Sequence, residues 1–160
     1  MIEIIRAETN KQIEEVKALF REYENWFGLN LCFQNFDEEV ANLPGKYAAP
    51  DGFLHLALSE GKIAGCIALR KSEDGICEMK RLFVRSAFQG LGIGNYLIEN
   101  LINEARLLGY QKMRLDTFPS KMRKAVKLYE SHGFYEIPPY YHNPYGETLY
   151  MEKKLDQSTG

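Results

Sequence analysis

The chain has 160 residues, 45% hydrophobic and 26% charged, with a formal net charge of −2. This length suits one domain with a sizeable core and is short for two; the composition excludes a disordered chain, and the near-balanced charge gives no electrostatic ground for a nucleic-acid partner. No apolar run is long enough to span a membrane, and Met1–Arg6 lacks the basic and then long apolar stretch of a secretory signal, so the expectation is a soluble cytoplasmic protein with no membrane partner.

Ile2–Arg6 is a short β-branched run and reads as the first strand. Thr9 and Gln12 form a capping box, which satisfies two orphan amides at a helix start. Ile13, Val16, Leu19, Phe20, Tyr23 and Phe27 follow at helical spacing, so this helix buries one face. Asn35 with Glu38 marks a second, shorter helix that stops at Pro44-Gly45. Trp26, Phe27, Phe33 and Phe36 in this region read mainly as core.

Three strands follow: Phe53–Ser59, Ile63–Arg70 and Ile76–Val84. Their connections, Glu60-Gly61-Lys62 and a turn containing Gly75, are short enough for antiparallel hairpins. The cysteines are Cys32, Cys66 and Cys77. An odd count at wide spacing argues against a disulfide framework or a zinc site, so no metal is expected. Cys66 and Cys77 fall in apolar runs and read as buried small hydrophobes. A reducing compartment fits this usage.

After Val84 a glycine-rich turn opens a helix with Leu97, Ile98, Leu101, Ile102, Ala105 and Leu108 on one face, stopped by Gly109. Met113–Thr117 is a strand, and Met122–His132 a helix ending at Gly133. Phe134–Ile137 is the next strand. The proline- and tyrosine-rich Pro138–Gly146 is a loop, and Thr148–Lys153 is the last strand. Residues 156–160 read as a disordered tail, leaving a single domain over 1–155. The order β-α-α-β-β-β-α-β-α-β-β is α/β: an antiparallel meander feeding a central βαβ crossover. Ile76–Val84 and Met113–Thr117 should be parallel, because a helix joins them.

The sharpest local signal is Gln89-Gly90-Leu91-Gly92-Ile93-Gly94, directly after a strand and opening a helix. Glycine lets backbone approach an anion closely. The first amides of the helix lack internal partners, and its dipole is positive there, so the loop is a phosphate site. A Walker loop would end in Gly-Lys-Ser/Thr, which is absent. A dinucleotide fingerprint would place its third glycine at Asn95 or Leu97, where none stands.

The pattern Gln89-x-x-Gly92-x-Gly94 resembles the acetyl-CoA loop of the GNAT superfamily of N-acetyltransferases. Glu78–Val84 resembles that family's central strand, and Ala125-x-x-Leu128-Tyr129-x-x-x-Gly133-Phe134 its second cofactor motif. Met122 stands where the family often has asparagine. The element order matches along nearly the whole chain. The resemblance implies a mixed, largely antiparallel sheet, with acetyl-CoA as cosubstrate and attack of a primary amine on its thioester. An alkyl ammonium, with a pKa of about 10, must lose a proton first. The developing oxyanion needs a donor and the departing thiolate an acid.

Residue by residue, the resemblance implies cofactor contacts from the backbone of Leu82, Phe83 and Val84, where the central strand splays from its neighbour, and from Gln89, Gly90, Leu91, Gly92, Ile93, Gly94 and Asn95. Tyr129 falls on the tyrosine that protonates the CoA sulfur in many members. Glu78, four residues before Leu82 and on the same face by period two, is the candidate general base, directly or through water. Asp116, at the end of the parallel strand, faces the crevice where open α/β sheets bind ligands. It is a candidate for holding the substrate ammonium, with Thr117 beside it. Tyr141, in Tyr140-Tyr141-His142, is a candidate pocket wall. The resemblance also implies that some of Trp26, Phe27, Phe33 and Phe36 line the acceptor cleft, one wall of which is formed in the family by the region of the first two helices. His132 reads as a helix-end cation, His55 as a satisfied sheet histidine, and Arg85 as either a phosphate contact or surface.

The expected function is acetyl transfer to the primary amine of a small molecule or amino acid, in a chain that is a monomer or a homodimer as family members often are. Two alternatives remain open at this point. One is an N-terminal or lysine acetyltransferase acting on protein; the other is a non-catalytic acyl-CoA-binding domain. Acceptor choice in such folds comes from loops rather than motifs.

Overall fold

The computed structural model describes residues 1–28, 35–142 and 146–155. Its elements are β1 (Ile2–Arg6), α1 (Asn10–Phe27), α2 (Phe36–Ala41), β2 (Phe53–Ser59), β3 (Lys62–Glu73), β4 (Ile76–Val84), α3 (Ile93–Leu107), β5 (Lys112–Thr117), α4 (Arg123–Ser131), β6 (Tyr135–Ile137) and β7 (Leu149–Lys154). This is the order expected from the sequence. Short 3₁₀ turns at Gly45–Tyr47 and Ser86–Phe88 add to it. Cys32, Phe33, the 143–145 part of the tyrosine-rich loop and the 156–160 tail lie outside the described residues.

The Thr9–Gln12 capping box opens α1, with both reciprocal bonds made. The second helix departs from expectation. Asn35 adopts a left-handed backbone and makes no side-chain cap bond. The helix ends at Ala41, ahead of Pro44: Asn42 is its C-cap, with backbone and side-chain amides both on the Glu38 carbonyl, and the next amide, Leu43, tightens to the Val40 carbonyl. Strand β3 runs past Arg70 to Glu73, since Lys71 and Glu73 still pair with Cys77 and Ile76. Their polar side chains hid that extension from a hydrophobicity pattern.

One seven-stranded sheet, ordered β1-β2-β3-β4-β5-β7-β6, carries the fold. Among the described strands only β4 and β5 pair in parallel. Alternation along each strand sends side chains to two faces. One face packs on Leu97, Ile98, Leu101 and Ala105 of α3 and Tyr129 of α4. The other packs on Val16, Leu19, Phe20 and Phe27 of α1 and Phe36 and Val40 of α2. The sheet is thus sandwiched between two helical layers.

Cys66 and Cys77 are fully buried free thiols, and burial pushes both pKa values up. His55 is buried on the α3 face, with Nε2 at 2.7 Å from Glu104. Burial lowers its pKa more than that carboxylate raises it. Its Nδ1 is buried without a partner, so the imidazole is half satisfied rather than fully satisfied. Among the described residues, no helix is long and apolar enough to cross a membrane.

Candidate active site

The site begins where β4 and β5, the one parallel pair among the described strands, come apart. β4 and β5 pair at Ile76↔Lys112, Cys77↔Met113 and Glu78↔Arg114, and no further. Backbone groups of β4 that point toward β5 beyond Glu78 therefore lack a strand partner. Polar groups in that condition seek a ligand or solvent. On its other side β4 carries a bulge. Ile67 of β3 stands opposite two residues, Arg81 and Leu82, because Cys66 pairs Phe83 and Ala68 pairs Lys80. Arg81 is left-handed there, with φ of 62°. That conformation costs about 1–3 kcal/mol in a non-glycine residue. Its guanidinium is held by a two-pronged pair to Glu39 of α2 at 2.9 and 3.0 Å, over the rings of Phe36 and Tyr23.

The bulge reverses the alternation of β4. Cys77 and Met79 belong to the α3-side core, and so do Leu82 and Val84, whereas Phe83 packs on the α1 side. Glu78 and Leu82 therefore face opposite sides of the sheet. The expectation that they share a face fails because period two does not survive an inserted residue.

A cavity of ≈ 580 Å³ occupies the opening between the strands. Its α3-side wall carries Leu82, Val84, Gln89, Gly90, Gly92, Ile93, Gly94 and Asn95, with Ala125, Leu128 and Tyr129 from α4. Leu91 alone of the expected loop residues is off the wall, half exposed to solvent. Gly92 is the N-cap of α3 at φ 79° and offers no side-chain cap, so the first amides of the helix keep no internal partner. Gly94 serves packing instead: a Cβ there would meet Leu128 at 3.3 Å. The Gln89 amide reaches back to the Val84 carbonyl at 3.4 Å, tying the loop to the strand end. His132, at the end of α4, lies 2.7 Å from the Asn95 side chain.

Lys121, Arg123 and Lys124 also line the cavity, and none has an ion-pair partner among the described residues. Glycine amides at a helix start, the Arg123 and Lys124 cations and the open edge of β4 fit an elongated ligand with phosphates at one end and an amide-bearing arm; the Lys121 ammonium lies instead beside Gly28 at the end of α1. That is the shape and charge of a CoA thioester. Arg85, by contrast, is bound to Glu22 of α1 at 2.7 and 2.9 Å, and its expected phosphate contact has no support. The Tyr129 ring is buried against Phe134, and burial raises the phenol pKa. No hydrogen bond to its hydroxyl occurs among the described residues, although the residue lines the cavity.

On the α1 side Asp116 is a cavity-wall residue as the sequence suggested, with Thr117 beside it. Burial alone would raise the Asp116 pKa. The Lys80 ammonium at 3.4 Å, the Tyr141 hydroxyl at 2.6 Å and the more distant Arg81 more than offset this, and the carboxyl lies below its usual range. Tyr141 meets the site through that bond and is not itself on the wall. Glu78 is off the wall as well. It is buried, paired with Arg70 at 2.9 Å, and accepts the Tyr140 hydroxyl at 2.8 Å. Lys80 stands between the two carboxylates, 3.9 Å from Glu78. Tyr140 and Tyr141 thus tie the segment after β6 to β4 and β5, one carboxylate each. Sequence reasoning passed over Lys80, Arg81 and the three cations before α4. A lysine and an arginine inside an otherwise apolar strand were the available signal for the first two. Thr117 also donates to the Met122 sulfur at 3.2 Å, so the family's usual asparagine position here serves packing.

This arrangement defines a class, transferases that lay a CoA thioester between splayed parallel strands. The chain belongs to the acetyltransferase (GNAT) family, whose model matches residues 13–134. An uncharacterised N-acetyltransferase of Schizosaccharomyces pombe is 39% identical over 158 residues, covering 98% of this chain and 96% of that protein. Another from Dictyostelium discoideum is 34% identical over 92% of this chain and 97% of its own. The crystal structure of a GNAT-family acetyltransferase from Staphylococcus aureus matches with a TM-score of 0.80, covering 98% of this chain and 100% of that one; at 22% identity this is a likeness of fold. The protein is an acyl-CoA-dependent N-acyltransferase. Among the described residues no group of three or more His, Cys, Asp or Glu is arranged to hold a metal.

Proposed function

We propose that the protein transfers an acetyl group from acetyl-CoA to the primary amine of a small molecule or amino acid, by direct attack in a ternary complex. The observation that carries this reading is a single cavity reaching both faces of the sheet. The phosphate-suited loop and Tyr129 lie on the α3 side, and Asp116 lies on the α1 side. Two reactants meeting in one cavity need no covalent enzyme intermediate.

When bound, acetyl-CoA supplies the activated acyl group. The chain's own residues do the rest. Amides at the start of α3, with Arg123 and Lys124 on the same cavity, would hold the phosphate end, whereas the Lys121 ammonium lies beside Gly28 at the end of α1. The backbone groups of Leu82–Val84 that face β5, left without a strand partner, would line the arm and polarise the carbonyl. Asp116 receives the acceptor ammonium and orients it. Lys80 and Arg81 are close to the same point, and neighbouring cations lower an ammonium's pKa, as does loss of water. The nucleophile thus sheds its proton more readily than in solution. Asp116 itself has a depressed pKa and is a poor proton store, so its part is orientation. Glu78, already engaged by Arg70 and Tyr140, anchors the tyrosine segment. Tyr129 keeps its proton because burial raises its pKa, and its hydroxyl is available to the departing sulfur.

The segment carrying Tyr140 and Tyr141 closes over the α1 side, which favours a small acceptor over a peptide that must pass through a groove. The test is CoA release with a panel of amines, amino acids and N-terminal or lysine peptides. Turnover of small amines with none of the peptides supports the reading. Turnover of peptides alone would overturn it, and tight acetyl-CoA binding without any turnover would remove the proposed reaction.

Tyr129→Phe isolates the sulfur-side role. Turnover should fall about ten- to a hundredfold, while acetyl-CoA affinity stays within about twofold, because one hydroxyl contributes little to holding so long a ligand. Single-turnover measurements with saturating cofactor check this. Wild-type turnover in the variant would remove Tyr129 as the acid.

A further inference from the structure

The α1 side of the cavity is walled by rings. Tyr23, Trp26 and Phe27 of α1, Phe83 of β4 and Phe118 after β5 all line it. They form one connected set. Tyr23 lies 6.4 Å from Trp26, 5.8 Å from Phe27 and 6.2 Å from Phe83; Trp26 lies 6.5 Å from Phe83, and Phe27 5.9 Å from Phe118. These separations are those of offset and edge-on aromatic packing. Four of the five rings are at least partly covered, but Trp26 is 51% exposed. A tryptophan on a cavity wall, half open and backed by further rings, presents a ready surface for a flat apolar group.

That surface is separate from the cofactor's. The phosphate loop, Leu82, Val84 and Leu128 belong to the α3 side, and Phe83 and Phe118 pack on the α1 side. The Arg81 bulge sets this division: uninterrupted alternation from Met79 would send Phe83 to the α3 side and Leu82 to the α1 side, and the inserted residue exchanges them. Asp116 lies on the same cavity wall as the rings, so a cationic head and an apolar body would each find a partner. Lys80 lies between Asp116 and Glu78, at 3.4 and 3.9 Å. Glu78 can hold that ammonium while Asp116 turns to the acceptor. The chemistry that fits is a primary amine on a short chain ending in an aromatic ring.

Resting on the proposed transfer to small amines, we infer that the acceptor is an arylalkyl primary amine, with its ring against Trp26 and Phe83 and its ammonium at Asp116. The acceptor end then selects by apolar contact as well as by charge, and Trp26 is a specificity-determining residue.

The experiment compares kcat/KM for phenylethylamine and ethanolamine, which share an aminoethyl head, at saturating acetyl-CoA. The wild-type enzyme should favour phenylethylamine by about a hundredfold, most of it in KM, since a ring fills what a hydroxyl leaves empty. Trp26→Ala should reduce that ratio by about tenfold, and Trp26→Phe should restore most of it, because the ring rather than the indole nitrogen makes the wall. Trp26 is half exposed, so neither change removes a core side chain. A ratio near one in the wild type, or one indifferent to Trp26→Ala, would overturn the aromatic site while leaving acetyl transfer to amines standing. Turnover of peptides but of neither amine would instead overturn the proposed small-amine function, and this inference with it.

Discussion

Gly92→Val is expected to abolish acetyl-CoA binding, lowering affinity by at least about a hundredfold, equivalent to roughly 2.8 kcal/mol. Two effects combine. Gly92 sits at φ 79°, a conformation in which a β-branched residue is a steric outlier. The backbone would leave that geometry, and the amides that follow it would lose their common aim. The new side chain would also occupy the approach of the phosphates. The protein itself leaves room there: a Cβ at Gly92 has only the Tyr96 ring for a neighbour, at 3.9 Å. The fold should therefore survive with a modest loss of stability, about 1–2 kcal/mol for a left-handed non-glycine residue. Calorimetric titration with CoA, beside a thermal melt, separates the two effects. A folded Gly92→Val protein with wild-type CoA affinity would overturn the phosphate assignment. Gln89→Ala should weaken binding only slightly, because the Gln89 side chain shapes the loop through the Val84 carbonyl.

How far the sequence reached follows from the period of each signal. The order of strands and helices was legible because each carries its own hydrophobic repeat. The phosphate loop was legible because glycines at a strand-to-helix junction have few other uses. Glu78 was misplaced for a specific reason. Period-two reasoning assumes an uninterrupted ladder, and nothing local in Lys80-Arg81-Leu82 announces the inserted residue. The bulge is fixed from outside, by Glu39 on a helix some forty positions earlier. The Tyr140–Glu78 and Tyr141–Asp116 bonds were hidden likewise, because they join segments far apart in the chain. The loop's composition suggested a pocket wall, yet its tyrosines act by gripping carboxylates on the sheet. The ring wall was half seen: Trp26 and Phe27 read mainly as core, the family resemblance implied that some such rings line the acceptor cleft, and the splay of β4 from β5 is what turns the stripe into a cavity lining.

Asp116→Asn tests the other half of the site. The substitution keeps the shape and an oxygen to accept the Tyr141 hydroxyl, and removes the charge. The kcat/KM for the amine should fall by about a hundredfold or more, in line with truncation of a buried charge partner, while acetyl-CoA affinity changes little. Stability should fall too, by roughly 3–5 kcal/mol at most, since Lys80 is left buried with Glu78 alone. The pH profile carries the sharper information. Asp116 has a depressed pKa, so in the wild type it stays ionised through neutral and mildly acidic pH. Activity should then rise with pH as the bound ammonium deprotonates, about tenfold per unit below its effective pKa. A carboxylate beside an ammonium favours the charged form. Its removal should lower that effective pKa, so the variant reaches a smaller plateau at a lower pH. A structural role alone would reduce the plateau without moving it. An Asp116→Asn enzyme with wild-type kcat/KM and an unmoved profile would remove Asp116 from acceptor binding.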